Sequence, residues 1–151
     1  MEDQLLLEIV PDPDGTAELF ATVQAGPFSG HSSAWIDPEE LVSFGRALAE
    51  TFPLTTTLGI SGGYWSDTSP GTLSEEHLSI SFYPIGNRGQ IGCQVRLASL
   101  QFASERPQSR RAVQVELEVT YAELQRFGPA LVELASGLVA EAVLHVVSHR
   151  E

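Results

Sequence analysis

Lysine is absent. All eight cations are arginine, set against twenty aspartates and glutamates, so the formal net charge is −12. Without lysine there is no phosphate-loop lysine, no Schiff base and no Ser–Lys nucleophile pair. Arginine stays protonated and does not serve as a base. The shortage of cations argues against nucleic acid, where affinity comes largely from neutralised phosphates. It equally disfavours anionic membrane surfaces. A basic protein, in contrast, would be steered in by this field. Cysteine is nearly absent too: Cys93 stands alone, which excludes an internal disulfide and any Cys-rich metal site. Long apolar runs are missing, Leu5-Leu6-Leu7 being far short of a membrane span. Met1-Glu2-Asp3-Gln4 is acidic where a signal peptide carries basic residues. These features predict a soluble, cytoplasmic chain with no cofactor and no metal.

What remains is a globular composition, 42% hydrophobic and 19% charged, in 151 residues. That length fits one domain. Strands are expected at Leu5–Val10, Ala17–Ala25 and Ser29–Ile36, the last carrying Trp35. Asp37, Pro38 and Glu40 then read as N-cap, first helical residue and capping-box partner. Leu41, Phe44 and Leu48 follow at helical spacing, and Pro53 stops the helix. Residues 53–76, rich in glycine, serine and threonine, read as a long surface loop with room for a short strand at Thr57–Ile60. Leu78, Ile80 and Phe82 alternate with polar residues, and Gly86-Asn87-Arg88-Gly89 is a hairpin turn. Ile91, Cys93, Val95 and Leu97 mark the next strand, and Val113, Val115, Leu117 and Val119 the last. Thr120 and Glu123 open a second helix that runs on through Leu138 and Val139, with Gly128-Pro129 expected to kink or split it.

The two helices share residues as well as pattern. Glu40 to Glu50 set against Glu123 to Glu133 agree at seven of eleven positions, 83 residues apart. Each helix follows three strands, which reads as a tandem βββα unit, 4–52 and 77–143, joined by the loop 53–76. The predicted fold is α+β: one antiparallel sheet of about six strands with two helices on one face. The other face, with Glu8, Thr22, Gln24, Ser79, Ser81, Gln94, Arg96, Gln114, Glu116 and Glu118, is left open to water or to a partner.

Strands ending in Trp35-Ile36-Asp37, a Glu-Leu-x-x-Phe-x-x-x-Leu helix, a long loop, further strands and a second Leu-x-x-Phe helix resemble WapI-like immunity proteins and related small acidic bacterial proteins. The resemblance covers roughly residues 5–144 and rests on element order and helix-face residues. It implies a cytosolic bacterial protein, and for many members neutralisation of a toxin by direct binding. No site residue carries over, and Gly62-Gly63-Tyr64-Trp65 sets this chain apart.

Several residue groups invite chemistry. Gly59-Ile60-Ser61-Gly62-Gly63 has the letters G-x-S-x-G, with Asp67 and His77 following in hydrolase order, but no helix follows the serine as a nucleophile elbow requires. His145 and His149, four apart, would share a helix face and could hold a metal only with a third ligand. Cys93, on an inward strand position, reads as an inert buried thiol. Arg106, Arg110 and Arg111 form the one basic cluster, in a loop. Tyr64 and Trp65 stand out, because adjacent aromatics ringed by polar residues form the centres of protein interfaces. The leading expectation is a non-catalytic binding protein, an immunity-like inhibitor of a basic partner. Its partner-binding residues would be Tyr64, Trp65, Asp67, Glu75, Glu76, Arg96, Glu116 and Glu118. The alternatives are a small-molecule-binding or hydrolytic enzyme with a site under the 61–77 loop, and a homodimer through a sheet edge or face.

Overall fold

The computed structural model describes residues 3–101 and 105–146. Strands β1 (Asp3–Pro11), β2 (Ala17–Ala25) and β3 (Phe28–Ile36) lead into helix α1 (Pro38–Glu50), and β4 (Leu58–Trp65) follows it. Strands β5 (Leu73–Ile85), β6 (Gln90–Ala98) and β7 (Ala112–Val119) lead into α2 (Tyr121–Ala135), and β8 (Ala142–Val146) follows. The order β-β-β-α-β thus occurs twice.

The fold is α+β and antiparallel, but its eight strands form two four-stranded sheets where one six-stranded sheet was expected. The first sheet has the order β3-β2-β1-β8 and the second β4-β5-β6-β7. Each strand that follows a helix therefore leaves its own half: β4 pairs with β5, and β8 with β1. Alternation along a strand says which side chains turn inward, but it does not name the neighbouring strand.

Inward residues of both sheets and the apolar stripes of both helices form one core. Phe82 of β5 lies at its centre, 6.0 Å from Phe44 of α1 and 6.2 Å from Phe127 of α2. Those two flanking phenylalanines are 83 residues apart, the spacing of the sequence repeat. Each tilted aromatic contact contributes about 0.5–1.5 kcal/mol beyond the burial of its area. Among the described residues no helix is long and apolar enough to cross a membrane.

Three local expectations need correction. The short strand expected at Thr57–Ile60 is present but longer, as β4, and the remainder of residues 53–76 is not one long loop, for it also holds the start of β5. The glycines that read as loop residues are there because other chain segments pass close by. A Cβ on Gly62 would lie 2.7 Å from Ala34 Cβ, one on Gly59 would lie 3.1 Å from the Ile80 carbonyl oxygen, and one on Gly63 would collide with the Glu75 carbonyl. Helix α2 runs unbroken through Pro129 but stops at Ala135. Gly137, at φ +79°, ends it in a Schellman motif, with Gly137 N donating to the Leu134 carbonyl (3.1 Å) and Leu138 N to the Glu133 carbonyl (2.9 Å). His145 consequently sits on β8 and not on a helix, and His149 lies outside the described residues. Finally, only α2 has a reciprocal capping box. In α1 the Asp37 carboxylate accepts from Glu39 N at 3.0 Å, while no hydrogen bond of the Glu40 side chain closes the box.

Candidate binding surface

Strand β4 is an edge of the second sheet, and with β5 it forms a hairpin. Ile60 pairs with Ile80, Ser61 with Ser79 and Gly62 with Leu78; then Gly63 pairs with Glu76, leaving His77 as an extra residue on β5. A second irregularity follows, where Tyr64 pairs with Glu75 and Trp65 with Leu73. Such bulges increase local twist and re-aim the side chains beyond them. Residues 66–72 close the hairpin compactly. Ser66 N donates to the Thr72 carbonyl at 2.8 Å, and Ser66 Oγ accepts from Ser69 N at 3.1 Å.

The bulge builds a small supporting cluster. His77 is 3% exposed, and its Nε2 is paired with the Glu75 carboxylate. The Tyr64 ring stands edge-on to the imidazole, with centroids 4.7 Å apart. Glu75 Oε2 also accepts from Gln101 N at 3.4 Å. The hydrogen bond from His77 holds the Glu75 carboxyl below the usual carboxylate range; burial opposes this, and Gln101 N–H and the charges of His77 and Arg110 add to it. Tyr64 and Trp65 are left 47% and 51% exposed. They belong to a paired strand resting on that cluster, where a loop was expected.

The acidic residues beside them are less free than their sequence positions imply. Arg96 grips Glu76 through Nε at 3.0 Å and Nη2 at 3.1 Å, and its Nη2 reaches Ser79 Oγ at 3.4 Å. Arg110 Nη2 donates to the Glu76 carbonyl oxygen. Glu75 and Glu76 are therefore already engaged within the protein. Asp67 is exposed in the hairpin turn. Glu116 and Glu118 lie on β7, the opposite edge, where Gln94 pairs with Glu116 and Gly92 with Glu118. Three strand spacings separate β4 from β7, about 14 Å. The eight nominated residues thus divide: six gather at or beside the hairpin and two stand apart. Glu116 accepts a hydrogen bond from the Tyr83 hydroxyl. Burial, together with that hydrogen bond and the Glu116 charge, pushes the Tyr83 hydroxyl well above its ordinary range, so it remains a neutral donor.

The hydrolytic reading finds no assembled machinery. Ser61 lies mid-strand with its pairing partner Ser79, and β4 continues past it into a hairpin turn instead of a helix. His77 is held by Glu75 and Tyr64. An open groove between α1 and β4 is lined by Glu39, Glu40, Ser43, Phe44, Ala47, Leu58 and Gly59, and Ser61, Asp67 and His77 take no part in it. Cys93 is fully buried, which raises its thiol pKa well above the usual range and makes it a poor nucleophile. His31 is likewise engaged, with Nδ1 2.8 Å from Thr22 Oγ1 and its ring stacked on Phe20.

The sequence reading missed His77 as the support beneath Tyr64. Its position two residues from Glu75 on a strand carried the signal, since alternate residues share a face. Compared with protein-family models, with curated proteins and with solved structures, the chain matches none.

Proposed function

We propose that the chain is a non-catalytic binding protein, an immunity-like inhibitor that takes a basic protein partner onto the β4–β5 hairpin. The observation that carries this reading is the pair Tyr64 and Trp65, half exposed and adjacent at the end of an edge strand. Tyr64 is held from beneath by His77, itself paired with Glu75, and so loses little conformational freedom on binding. A net charge of −12 would raise the rate of encounter with a basic protein, and the aromatics would set the lifetime of the complex. Asp67 is the acidic residue best placed to meet a cation, because Glu75 and Glu76 already have partners.

The test is affinity capture from the source cells with wild type and Trp65→Ala side by side. Trp65 makes the cleaner variant, since Tyr64 also packs on His77. The expected result is a stoichiometric basic protein held by wild type and lost by a Trp65→Ala protein whose melting curve is intact. Equal recovery of that protein by both would overturn the reading.

A further inference from the structure

The outer faces of the two sheets can be compared position by position, because the strands correspond in register. Leu5 and Leu78 occupy equivalent places: each first strand pairs the same way with the second, and each borrowed strand lies beside it. The outward residues between these inward ones then align. Where the second sheet presents Ser79, Ser61, Gln94 and Glu118, the first presents Leu6, Val143, Phe20 and Trp35. The second face is polar at these positions, with Ser79 buried against Arg96. The first is apolar at the same positions, with Trp35 51% and Val10 55% exposed.

Charge is equally uneven. No arginine occurs before Arg46, and none lies on β1, β2, β3 or β8. Glu8 and Glu18 sit among the apolar residues, Glu8 paired with Phe20 and Glu18 with Trp35. A second copy of the chain would bring the same carboxylates to this face with no arginine to meet them, on a molecule already at −12. The occupant must therefore bring the cations. The backbone groups of the inner strands β1 and β2 are bonded to their neighbours, so an occupant of the face engages it through side chains. A helix laid across the sheet does this, as in other two-layer arrangements.

We infer that the outer face of the first sheet docks a cationic amphipathic helix of a partner protein, its apolar stripe on Leu6, Phe20 and Trp35 and its arginines or lysines against Glu8 and Glu18. This surface is separate from the Tyr64–Trp65 hairpin, and the inference does not depend on that reading.

The two tryptophans allow each surface to be followed alone. Trp65→Phe leaves Trp35 as the reporter of the sheet face, and Trp35→Phe leaves Trp65 as the reporter of the hairpin. The probe is a synthetic helical peptide with a leucine stripe flanked by arginines; the control carries glutamate in place of arginine. In Trp65→Phe the cationic peptide should produce a saturable Trp35 fluorescence shift that weakens with salt, and the control should produce none. Glu8→Arg, an exposed site, should weaken binding about tenfold or more, equivalent to about 1.4 kcal/mol. Leu6→Ser with Phe20→Gln, which import the second sheet's residues, should abolish it while melting curves confirm folding. A response at Trp65 alone, equal binding of the acidic control, binding unchanged in Glu8→Arg, or no saturable response at Trp35 would each overturn the inference. So would a dimer in light scattering that Leu6→Ser with Phe20→Gln dissociates.

Discussion

Gly45 and Gly128 meet backbone to backbone where α1 crosses α2. A Cβ on Gly45 would lie 2.6 Å from the Gly128 carbonyl oxygen, and a Cβ on Gly128 would lie 2.6 Å from the Gly45 carbonyl oxygen. The contact is reciprocal, and the two glycines are 83 residues apart, as are Phe44 and Phe127 beside them. A third pair shows the same spacing: Gly30 of β3 faces Val113 of β7, and a Cβ on Gly30 would collide with the valine side chain. In these two glycine contacts, positions that correspond in the two halves meet each other. Where they meet on the helices, both must be glycine.

The first prediction concerns that crossing. Gly45→Ala and Gly128→Ala should each destabilise, although alanine is the better helix former by about 1 kcal/mol. The clash is with backbone, so the helices must separate. Overpacking of this kind costs about 1–3 kcal/mol, and the net loss should show in thermal or urea melts. The double variant should lose less than the sum of the singles, because one displacement relieves both clashes.

Phe82 carries the second. It is fully buried between Phe44 and Phe127. Phe82→Ala should cost about 3–5 kcal/mol in denaturant melts, among the largest losses available to a single truncation here.

The third concerns acid stability. The Glu75 carboxyl lies below its ordinary pKa in the folded protein, chiefly through its hydrogen bond with His77. Its contribution is therefore present above the unfolded-state value and is lost as pH falls through the lower folded-state value. Glu75→Gln should be less stable than wild type near neutral pH, by up to about 1.5–3 kcal/mol, the worth of a hydrogen bond to a charged group. The gap should narrow as pH falls below the carboxylate range. Denaturant midpoints measured from neutral to acid pH would check it.

The fourth uses the single thiol. Cys93 is buried, and its pKa is raised by burial first and the Glu116 charge second. A disulfide-exchange reagent should leave native protein unmodified and titrate one thiol per chain once denaturant is added.

The fifth separates the two exposed aromatics. Trp65→Ala should change stability by less than about 1 kcal/mol, the span of strand propensity. Tyr64→Ala should cost an additional 0.5–1.5 kcal/mol or about that, the worth of an aromatic pair, because it uncovers His77. Parallel melts of the two variants test this.

Local sequence determined much of the secondary structure. The alternation of Leu5, Leu7, Leu19, Ala21, Val95 and Leu117 with polar neighbours decided which side chains turn inward. Asp37 and Thr120 marked helix starts, because a side-chain oxygen beside a free N–H acts within one turn. The repeat in the two helices was legible as letters. Tertiary structure alone decided the pairing of β4 with β5 and of β8 with β1, and with it the division into two sheets. Strand period does not encode a neighbour, and the choice depends on which edges the folded halves offer each other. It also decided that Gly62 and Gly63 are strand residues, a fact that depends on the Ala34 side chain and the Glu75 backbone passing beside them. The candidate surface was legible in part for the same reason. Tyr64 and Trp65 could be picked out by residue type and His77 lies two residues from Glu75, whereas Arg96, Gln101 and Arg110, which also bind Glu75 or Glu76, come from β6 and from the segments on either side of residues 102–104, through contacts that exist only once the chain has folded.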